Sequence, residues 1–134
     1  MAKLVDIEGV GRVNAQKLKK AGVRSTDGLL KAGATPAGRK RVAREAGFSS
    51  GTILKWVNHV DLFRIKGIAS EYSELLEAAG VDSVPELAQR KAPVLLAKMT
   101  VVNARKKLVR RLPTVSMVAR WVSQAKKLPR RIRY

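Results

Sequence analysis

The chain has 134 residues and no cysteine, which excludes disulfide bonds and thiolate metal sites. Its apolar content of 46% is normal for a globular domain, and no apolar stretch reaches the length of a membrane-spanning helix. The net charge is +18, from 28 Lys and Arg against 10 Asp and Glu. Because such a field attracts polyanions, we expect nucleic acid as the partner and no membrane. We expect a cytoplasmic protein, associated with the nucleoid or the ribosome.

Two segments of the chain carry the same pattern, 58 residues apart. The first contains Ile-Glu-Gly-Val-Gly at 7–11, Leu18, Ala-Gly-Val at 21–23, Ser25 and Leu29. The second contains Ile-Lys-Gly-Ile-Ala at 65–69, Leu76, Ala-Gly-Val at 79–81, Ser83 and Leu87. The shared unit is an apolar residue, a glycine turn, a helix, a glycine stop and a capped helix. This internal repeat predicts two helix-hairpin-helix units.

The first half is predicted to contain four helices, over about 12–21, 26–32, 36–46 and 51–60. Gly22, Gly33 and Gly47 are expected to end the first three. Ser25 is the expected N-cap of the second, and Thr35 with Pro36 is expected to start the third.

The second half is predicted to repeat this plan, with helices over about 70–79, 101–112 and 115–127. Ser83 and Glu86 form a predicted capping box, and a short turn is expected near Pro93. Lys-Trp-Val at 55–57 recurs as Arg-Trp-Val at 120–122. We interpret the tryptophans of these two segments as core anchors rather than stacking platforms for bases.

No segment alternates with the period of a β-strand, so the predicted fold class is all-α. We expect two tandem helix-hairpin-helix repeats, over 1–60 and 61–128, packed as one compact unit and joined at residues 58–61. A basic C-terminal tail over 129–134 is expected to be extended, because Pro129 breaks the last helix.

With these elements in place, the chain resembles an uncharacterised bacterial family of tandem helix-hairpin-helix proteins, catalogued as a domain of unknown function. The segments that carry the resemblance are residues 7–11, 32–36, 55–59, 64–68, 75–82 and 106–113. The resemblance covers nearly the whole chain and implies the fold, but it implies little about activity. A looser analogy of fold connects the hairpin to domains of repair and replication proteins and to a ribosomal protein.

The first hairpin is the stronger candidate for phosphate binding. Gly9 and Gly11 permit a close approach of the backbone, and we expect the N–H groups of Val10, Gly11 and Arg12 to face a phosphate oxygen. Positive charge on or near the following helix comes from Arg12, Lys17, Lys19 and Lys20. The alternative is a tight turn that only joins two helices.

The second hairpin is the weaker candidate, because Ala69 replaces the second glycine. Glu71, Glu74 and Glu77 on its helix would repel a phosphate backbone. We therefore expect this hairpin to pack in the core or to bind a protein partner at the acidic 70–79 helix. The residues that would touch a phosphate from its tip are Lys66, Gly67 and Ser70.

The densest basic clusters lie outside the hairpins. Residues 87–134 contain 14 basic residues and no acidic one. The predicted 36–46 helix carries Arg39, Lys40, Arg41 and Arg44. The predicted 101–112 helix carries Arg105, Lys106, Lys107, Arg110 and Arg111, with Ala104, Leu108 and Leu112 expected to face inward. The end of the chain adds Lys126, Lys127, Arg130, Arg131 and Arg133. We expect a basic face and a basic arm that contact phosphates.

Catalysis finds no support in the sequence. His59 is the only histidine, and with no cysteine it has no partner for a metal or a proton relay. We place it at the end of a helix beside the join of the repeats. A lysine nucleophile stays open, although nothing singles one lysine out. We predict no enzyme activity, no cofactor and no metal.

Three functions follow from this reading. The first is a non-enzymatic, largely sequence-nonspecific DNA-binding protein. The second is a structural RNA-binding protein associated with the ribosome, since RNA presents the same phosphates. The third is a protein-interaction adaptor. The sequence contains no signal for an oligomeric state.

Overall fold

The structure, a computed structural model, describes residues 3–134, and within that range it contains eight α-helices and no β-strand. The all-α prediction is confirmed. A short 3-10 turn over Leu4–Asp6 precedes the helices. The helices are α1 (Gly11–Lys20), α2 (Thr26–Ala32), α3 (Pro36–Ala46), α4 (Ser50–Phe63), α5 (Ser70–Ala78), α6 (Val84–Ala88), α7 (Ala92–Lys106) and α8 (Val115–Lys127).

The chain divides into two compact units. Unit 1 is Met1–Asp61 with Arg131–Tyr134, and unit 2 is Leu62–Arg130. Helix α4 continues to Phe63, through the predicted join at 58–61. His59 consequently lies inside α4, fully buried and with an interaction partner, and not at a helix end as the sequence predicts.

Unit 1 is built from helices whose ends are set by local side chains. The hydroxyl of Ser25 accepts a hydrogen bond from Gly28 N at 2.9 Å, and that of Thr35 accepts one from Gly38 N at 3.1 Å. These caps satisfy amides that have no acceptor inside α2 and α3. Helix α3 packs against α1 and α2. Leu18 and Leu29 are fully buried, as the repeated apolar pattern predicts.

The last residues of the chain are part of unit 1 and not a separate arm. Ile132 is only 2% exposed, and Arg133 N donates to Ala34 O at 2.8 Å. The hydroxyl of Tyr134 forms a 2.9 Å hydrogen bond with Asn58 Oδ1. Residues 129–134 form no helix, in keeping with the predicted break at Pro129, but hydrogen bonds fix residues 131–134 to unit 1 and they do not form a separate arm.

The side chain of Arg39 also holds residues 131–134 in place. Its guanidinium donates to Gly33 O and to Arg133 O, both at 2.9 Å. The side chain is buried, with the residue 5% exposed, and it lies 5.9 Å from the Tyr134 ring centroid. The prediction of Arg39 as a phosphate contact is corrected, since its donors already bond to carbonyl groups of unit 1.

Unit 2 has its own core, formed where α8 packs against α6 and α7 and where α5 packs against α7. Its fully buried members include Leu75, Leu87 and Met99. Ser83 caps α6 through a 3.4 Å bond from Glu86 N, as predicted. The Glu86 carboxylate, however, accepts from Arg90 at 2.9 Å and does not complete a capping box.

Helix α7 differs most from the sequence prediction. It begins at Ala92, and Pro93 lies in its first turn, where the sequence predicts a short turn between helices. It ends at Lys106, since Lys107 adopts a left-handed conformation with φ 50°. The predicted helix over 101–112 is wrong in both bounds, and Ala104 is exposed where we expect it inward. Leu108 and Leu112 are half-buried, but they lie in the loop that follows α7.

The end of the chain offers a test of stability with a matched neighbour. Ile132→Ala should lower the free energy of unfolding by about 2–5 kcal/mol, because a buried side chain is replaced by a cavity. Arg131→Ala, one residue earlier and exposed, should change it by less than about 0.5 kcal/mol. Urea unfolding followed by circular dichroism measures both. Equal effects would show that Ile132 does not anchor the segment.

Candidate nucleic-acid interface

Two turns with the same backbone hydrogen bonds lie at the starts of the two units. The first turn is residues 7–10 and the second turn is residues 65–68. In the first, Ile7 N donates to Leu4 O at 3.1 Å and Val10 N to Ile7 O at 3.0 Å. In the second, Ile65 N donates to Leu62 O at 3.1 Å and Ile68 N to Ile65 O at 3.2 Å. The two turns, which are 58 residues apart in the sequence, thus share the same pair of backbone hydrogen bonds.

Each turn contains a glycine with positive φ, facing an indole nitrogen. Gly9 has φ 88° and Gly67 has φ 97°. A Cβ added at Gly9 would lie 3.5 Å from Trp56 Nε1, and one added at Gly67 would lie 2.9 Å from Trp121 Nε1. Trp56 and Trp121 are both buried, as predicted. The tryptophans therefore fix the turns and are not exposed stacking surfaces.

The first turn leads into α1, whose start has no side-chain cap in the described part of the chain. Since the first N–H groups of a helix have no acceptor inside it, the amides of Gly11 and Arg12 remain for a ligand oxygen. Val10 N does not, because it bonds to Ile7 O, and this part of the prediction is corrected. Glu8, beside Gly9, is exposed and opposes an anion, a point that the sequence analysis missed.

The cations predicted around the first hairpin are at the surface. Arg12, Lys17, Lys19 and Lys20 are all exposed on α1. Lys17 also lies 5.6 Å from the Phe48 ring centroid, and Phe48 in turn packs edge-on against Trp56. On α3, Lys40 and Arg44 are exposed, whereas Arg41 forms a 2.9 Å ion pair with Glu45. That pair is half-exposed, so it weakens Arg41 as a contact only slightly.

The second turn is held by one side chain of α8. Gln124 Oε1 accepts from Lys66 N at 2.9 Å, and Gln124 Nε2 donates to Lys66 O at 3.3 Å. The Lys66 side chain and Gly67 are exposed, and Ser70 is half-exposed at the start of α5. Glu71 is exposed on α5, while Glu74 and Glu77 are half-buried and have partners. A protein partner at 70–79 stays a prediction.

The loop after α7 presents the densest group of cations in unit 2. We call residues 105–111 the basic loop. Arg105 and Lys106 end α7, and the rest of the segment is non-helical. The five exposed cations of the basic loop are Arg105, Lys106, Lys107, Arg110 and Arg111. The cluster remains after the correction of α7, but it extends over the last turn of α7 and the loop after it instead of lying on one helix face.

Side chains from two helices hold the basic loop in shape. Asn103 brackets Val109, accepting from its N–H at 3.0 Å and donating to its carbonyl at 3.1 Å. The hydroxyl of Tyr72 donates to Arg111 O at 3.1 Å. Val109 is buried and anchors the loop in the core of unit 2. The loop backbone is therefore ordered before any ligand binds, which reduces the entropy lost on binding. The sequence signals neither contact, because Asn103 bonds to a residue six positions away outside its helix and Tyr72 to one 39 positions away.

The remaining predicted cations divide between the two units. Lys126, Lys127 and Arg130 are exposed in unit 2, at and after the end of α8. Arg131 and Arg133 are exposed in unit 1, on either side of the buried Ile132. Because residues 131–134 are fixed by hydrogen bonds, these arginines have defined positions on that unit.

The described residues offer neither a candidate metal site nor a candidate membrane span. Residues 3–134 contain no group of three or more His, Cys, Asp or Glu side chains that could hold a metal ion. No helix among them is long and apolar enough to cross a membrane.

Comparison with known proteins gives one match. The model of a family described as a domain of unknown function (DUF4332) matches residues 8–128. No curated protein and no solved structure matches.

The indole contacts predict an asymmetry between the two turns. Gly9→Ala should lower the free energy of unfolding by about 1–2 kcal/mol, the cost of a side chain in the left-handed region. Gly67→Ala should cost more, about 2–4 kcal/mol, because its Cβ also meets Trp121. Thermal unfolding of the two variants compares them directly. Equal losses would mean that the Trp121 contact does not constrain the second turn.

Proposed function

We propose that this chain, which belongs to the DUF4332 family, is a non-enzymatic and largely sequence-nonspecific DNA-binding protein. It contacts the phosphate backbone through the basic loop and the start of α1. The observation that carries the proposal is the basic loop: five exposed cations on a backbone held by Asn103 and Tyr72. In this proposal the protein acts in the cytoplasm, on the nucleoid.

The charge pattern favours a phosphate ligand. After Glu86 the sequence contains no acidic residue, so no carboxylate of that segment competes for the cations of the basic loop. Cations on an ordered loop bind phosphates without first losing backbone freedom. Release of condensed counterions from a nucleic acid then supplies much of the binding free energy, and affinity falls steeply with salt.

We further propose that the two turns belong to two tandem helix-hairpin-helix units. The support is that hydrogen bonds, positive-φ glycines and facing tryptophans recur at both. In the first unit the open amides of Gly11 and Arg12 receive a phosphate oxygen at the start of a helix. Arg12, Lys17, Lys19 and Lys20 add positive charge to that contact.

The proposed contacts read the backbone and not the bases. Direct readout needs several Arg, Asn or Gln side chains directed along one groove. The basic loop instead presents its cations from the last turn of α7 and a short irregular segment after it, which suits phosphate contacts that carry no sequence information. RNA offers the same phosphates, so a binding experiment has to compare the two nucleic acids.

The decisive experiment is a salt series. The chain and a variant with Ala at Arg105, Lys106, Lys107, Arg110 and Arg111 are titrated into labelled duplex DNA and into structured RNA, with fluorescence anisotropy as the readout. We expect the variant to bind more weakly and to have a flatter dependence of log affinity on log salt. On duplex DNA the slope should fall by about 0.9 for each phosphate that the variant no longer neutralises. Tighter binding of structured RNA than of duplex DNA would favour the ribosome-associated alternative.

A control variant separates the basic loop from total charge. It carries Ala at five other exposed cations, namely Lys3, Arg24, Lys31, Lys91 and Lys98. Both variants lose the same charge, so they should differ only if position matters. Equal losses of affinity would contradict the assignment of the basic loop, and no binding by the unmodified chain at low salt would contradict nucleic-acid binding altogether.

The shape of the basic loop can be tested at constant charge. Asn103→Ala removes both hydrogen bonds to Val109 and should lower the free energy of unfolding by about 1–3 kcal/mol. It should also weaken DNA binding, because the cations lose their fixed arrangement. Thr100→Ala, on the exposed side of the same helix, is the control and should leave DNA binding unchanged. If Asn103→Ala binds DNA as tightly as the unmodified chain, order in the basic loop is not needed.

A further inference from the structure

A cavity of about 480 Å³ opens beside the second turn, within unit 2. Its walls are Lys66 and Gly67 from the turn, together with Met117, Arg120, Trp121 and Gln124 from α8. The α8 residues are spaced by three and four, so they lie on one face of the helix. The cavity is thus formed by one helix face and one turn, and its size is that of sites for small ligands.

The walls combine two kinds of chemistry. Lys66 and Arg120 are exposed and positively charged, whereas Met117 is half-buried and Trp121 buried. None of the six lining residues is acidic. An anionic group would therefore find two cations at the opening, and a flat apolar group would find the thioether of Met117 and the edge of the buried Trp121 indole on the wall.

The shape of the cavity is fixed before a ligand binds. Gln124 holds the backbone of Lys66 through both its N–H and its carbonyl. Trp121 is held in turn by Tyr72, whose ring centroid lies 5.2 Å away. Any residue with a Cβ at Gly67 would press on Trp121 at the cavity wall. The turn, the indole and the helix face thus form one rigid wall.

We infer that this cavity binds a nucleotide, with the phosphate between Lys66 and Arg120 and the base against the half-buried side chain of Met117, beside the edge of the Trp121 indole. A phosphate ester attached to a flat heterocycle satisfies both parts of the wall, which inorganic phosphate alone does not. The inference goes beyond the proposed contact of the basic loop with a nucleic-acid backbone. The same chemistry is present in a free mononucleotide and in one residue of a single strand.

Unit 1 supplies an internal comparison. At the positions that correspond through the repeat, Glu8 replaces Lys66, Thr52 replaces Met117 and Lys55 replaces Arg120. A carboxylate thus stands where unit 2 has a cation, and a small polar residue stands where it has a thioether. The inference consequently assigns one nucleotide site to each chain, in unit 2.

The two tryptophans make the site observable. Each gives one indole N–H signal in a proton–nitrogen NMR spectrum, and Trp56→Phe identifies which is which. We expect adenosine 5′-monophosphate to shift the Trp121 signal in a saturable way while the Trp56 signal stays in place. Lys66→Glu, which copies the residue of unit 1, should weaken this binding by about tenfold or more, because a charged hydrogen bond becomes a repulsion. Arg120→Glu should act similarly, and Lys55→Glu, its counterpart in unit 1, should leave the affinity unchanged.

Each outcome decides a part of the inference. Binding of inorganic phosphate or of adenosine as tightly as the nucleotide would overturn it. Either the base contact or the phosphate contact would then add nothing to the affinity. No shift of Trp121 with either the mononucleotide or a five-residue single strand, or equal shifts of both indoles, would overturn it as well. A five-residue single strand shows the source of the ligand: if it shifts Trp121 and the mononucleotide does too, the site takes either. If only the strand does so, the ligand is a strand residue.

The experiment is independent of the proposed backbone contacts. The variant with Ala at the five cations of the basic loop retains every lining residue of the cavity. The Trp121 shift should persist in that variant even if its binding to duplex DNA is lost. Loss of the shift in Lys66→Glu with duplex binding intact would separate the two sites in the opposite direction.

Discussion

A buried indole that faces a left-handed glycine is the contact on which both units depend. Trp56 faces Gly9 in unit 1, and Trp121 faces Gly67 in unit 2. The glycine gives the turn a conformation that other residues strain to adopt, and the indole fixes the distance between the turn and a long helix. In this way each turn is locked to its own unit, and the amides and side chains around it have fixed positions.

Local signals were enough to predict most helix ends. Ser25, Thr35 and Ser83 are N-caps, and α2, α3 and α6 begin directly after them. The prediction is wrong at α7, where Pro93 lies in the first turn of the helix. Proline is common both in the first turn of a helix and in loops, so its presence did not distinguish the two. The end of α7 was equally hidden, since lysine rarely adopts positive φ and the pairing of Asn103 with Val109 is not visible in apolar spacing.

Charge predicted the candidate interface as a whole, but not the fate of single residues. The five cations of the basic loop are exposed, as the charge pattern predicts. Arg39 looked the same in the sequence, yet it is buried, because two of its guanidinium nitrogens donate to carbonyls that the fold brings near. One of those carbonyls belongs to Arg133, 94 residues away. Contacts between residues so far apart cannot be predicted from the spacing of residue types. The two hydrogen bonds between the Gln124 side chain and the Lys66 backbone are of the same long-range kind.

Residues 131–134 make unit 1 discontinuous along the chain, and this decides which unit is complete first during translation. All of Leu62–Arg130 must be translated before Ile132 and Arg133 exist to complete unit 1. Unit 2 therefore has all of its residues before unit 1 does, whereas in most proteins the amino-terminal portion is complete first. Until residues 131–134 are translated, Arg39 lacks one of its two carbonyl acceptors, and unit 1 lacks the buried Ile132.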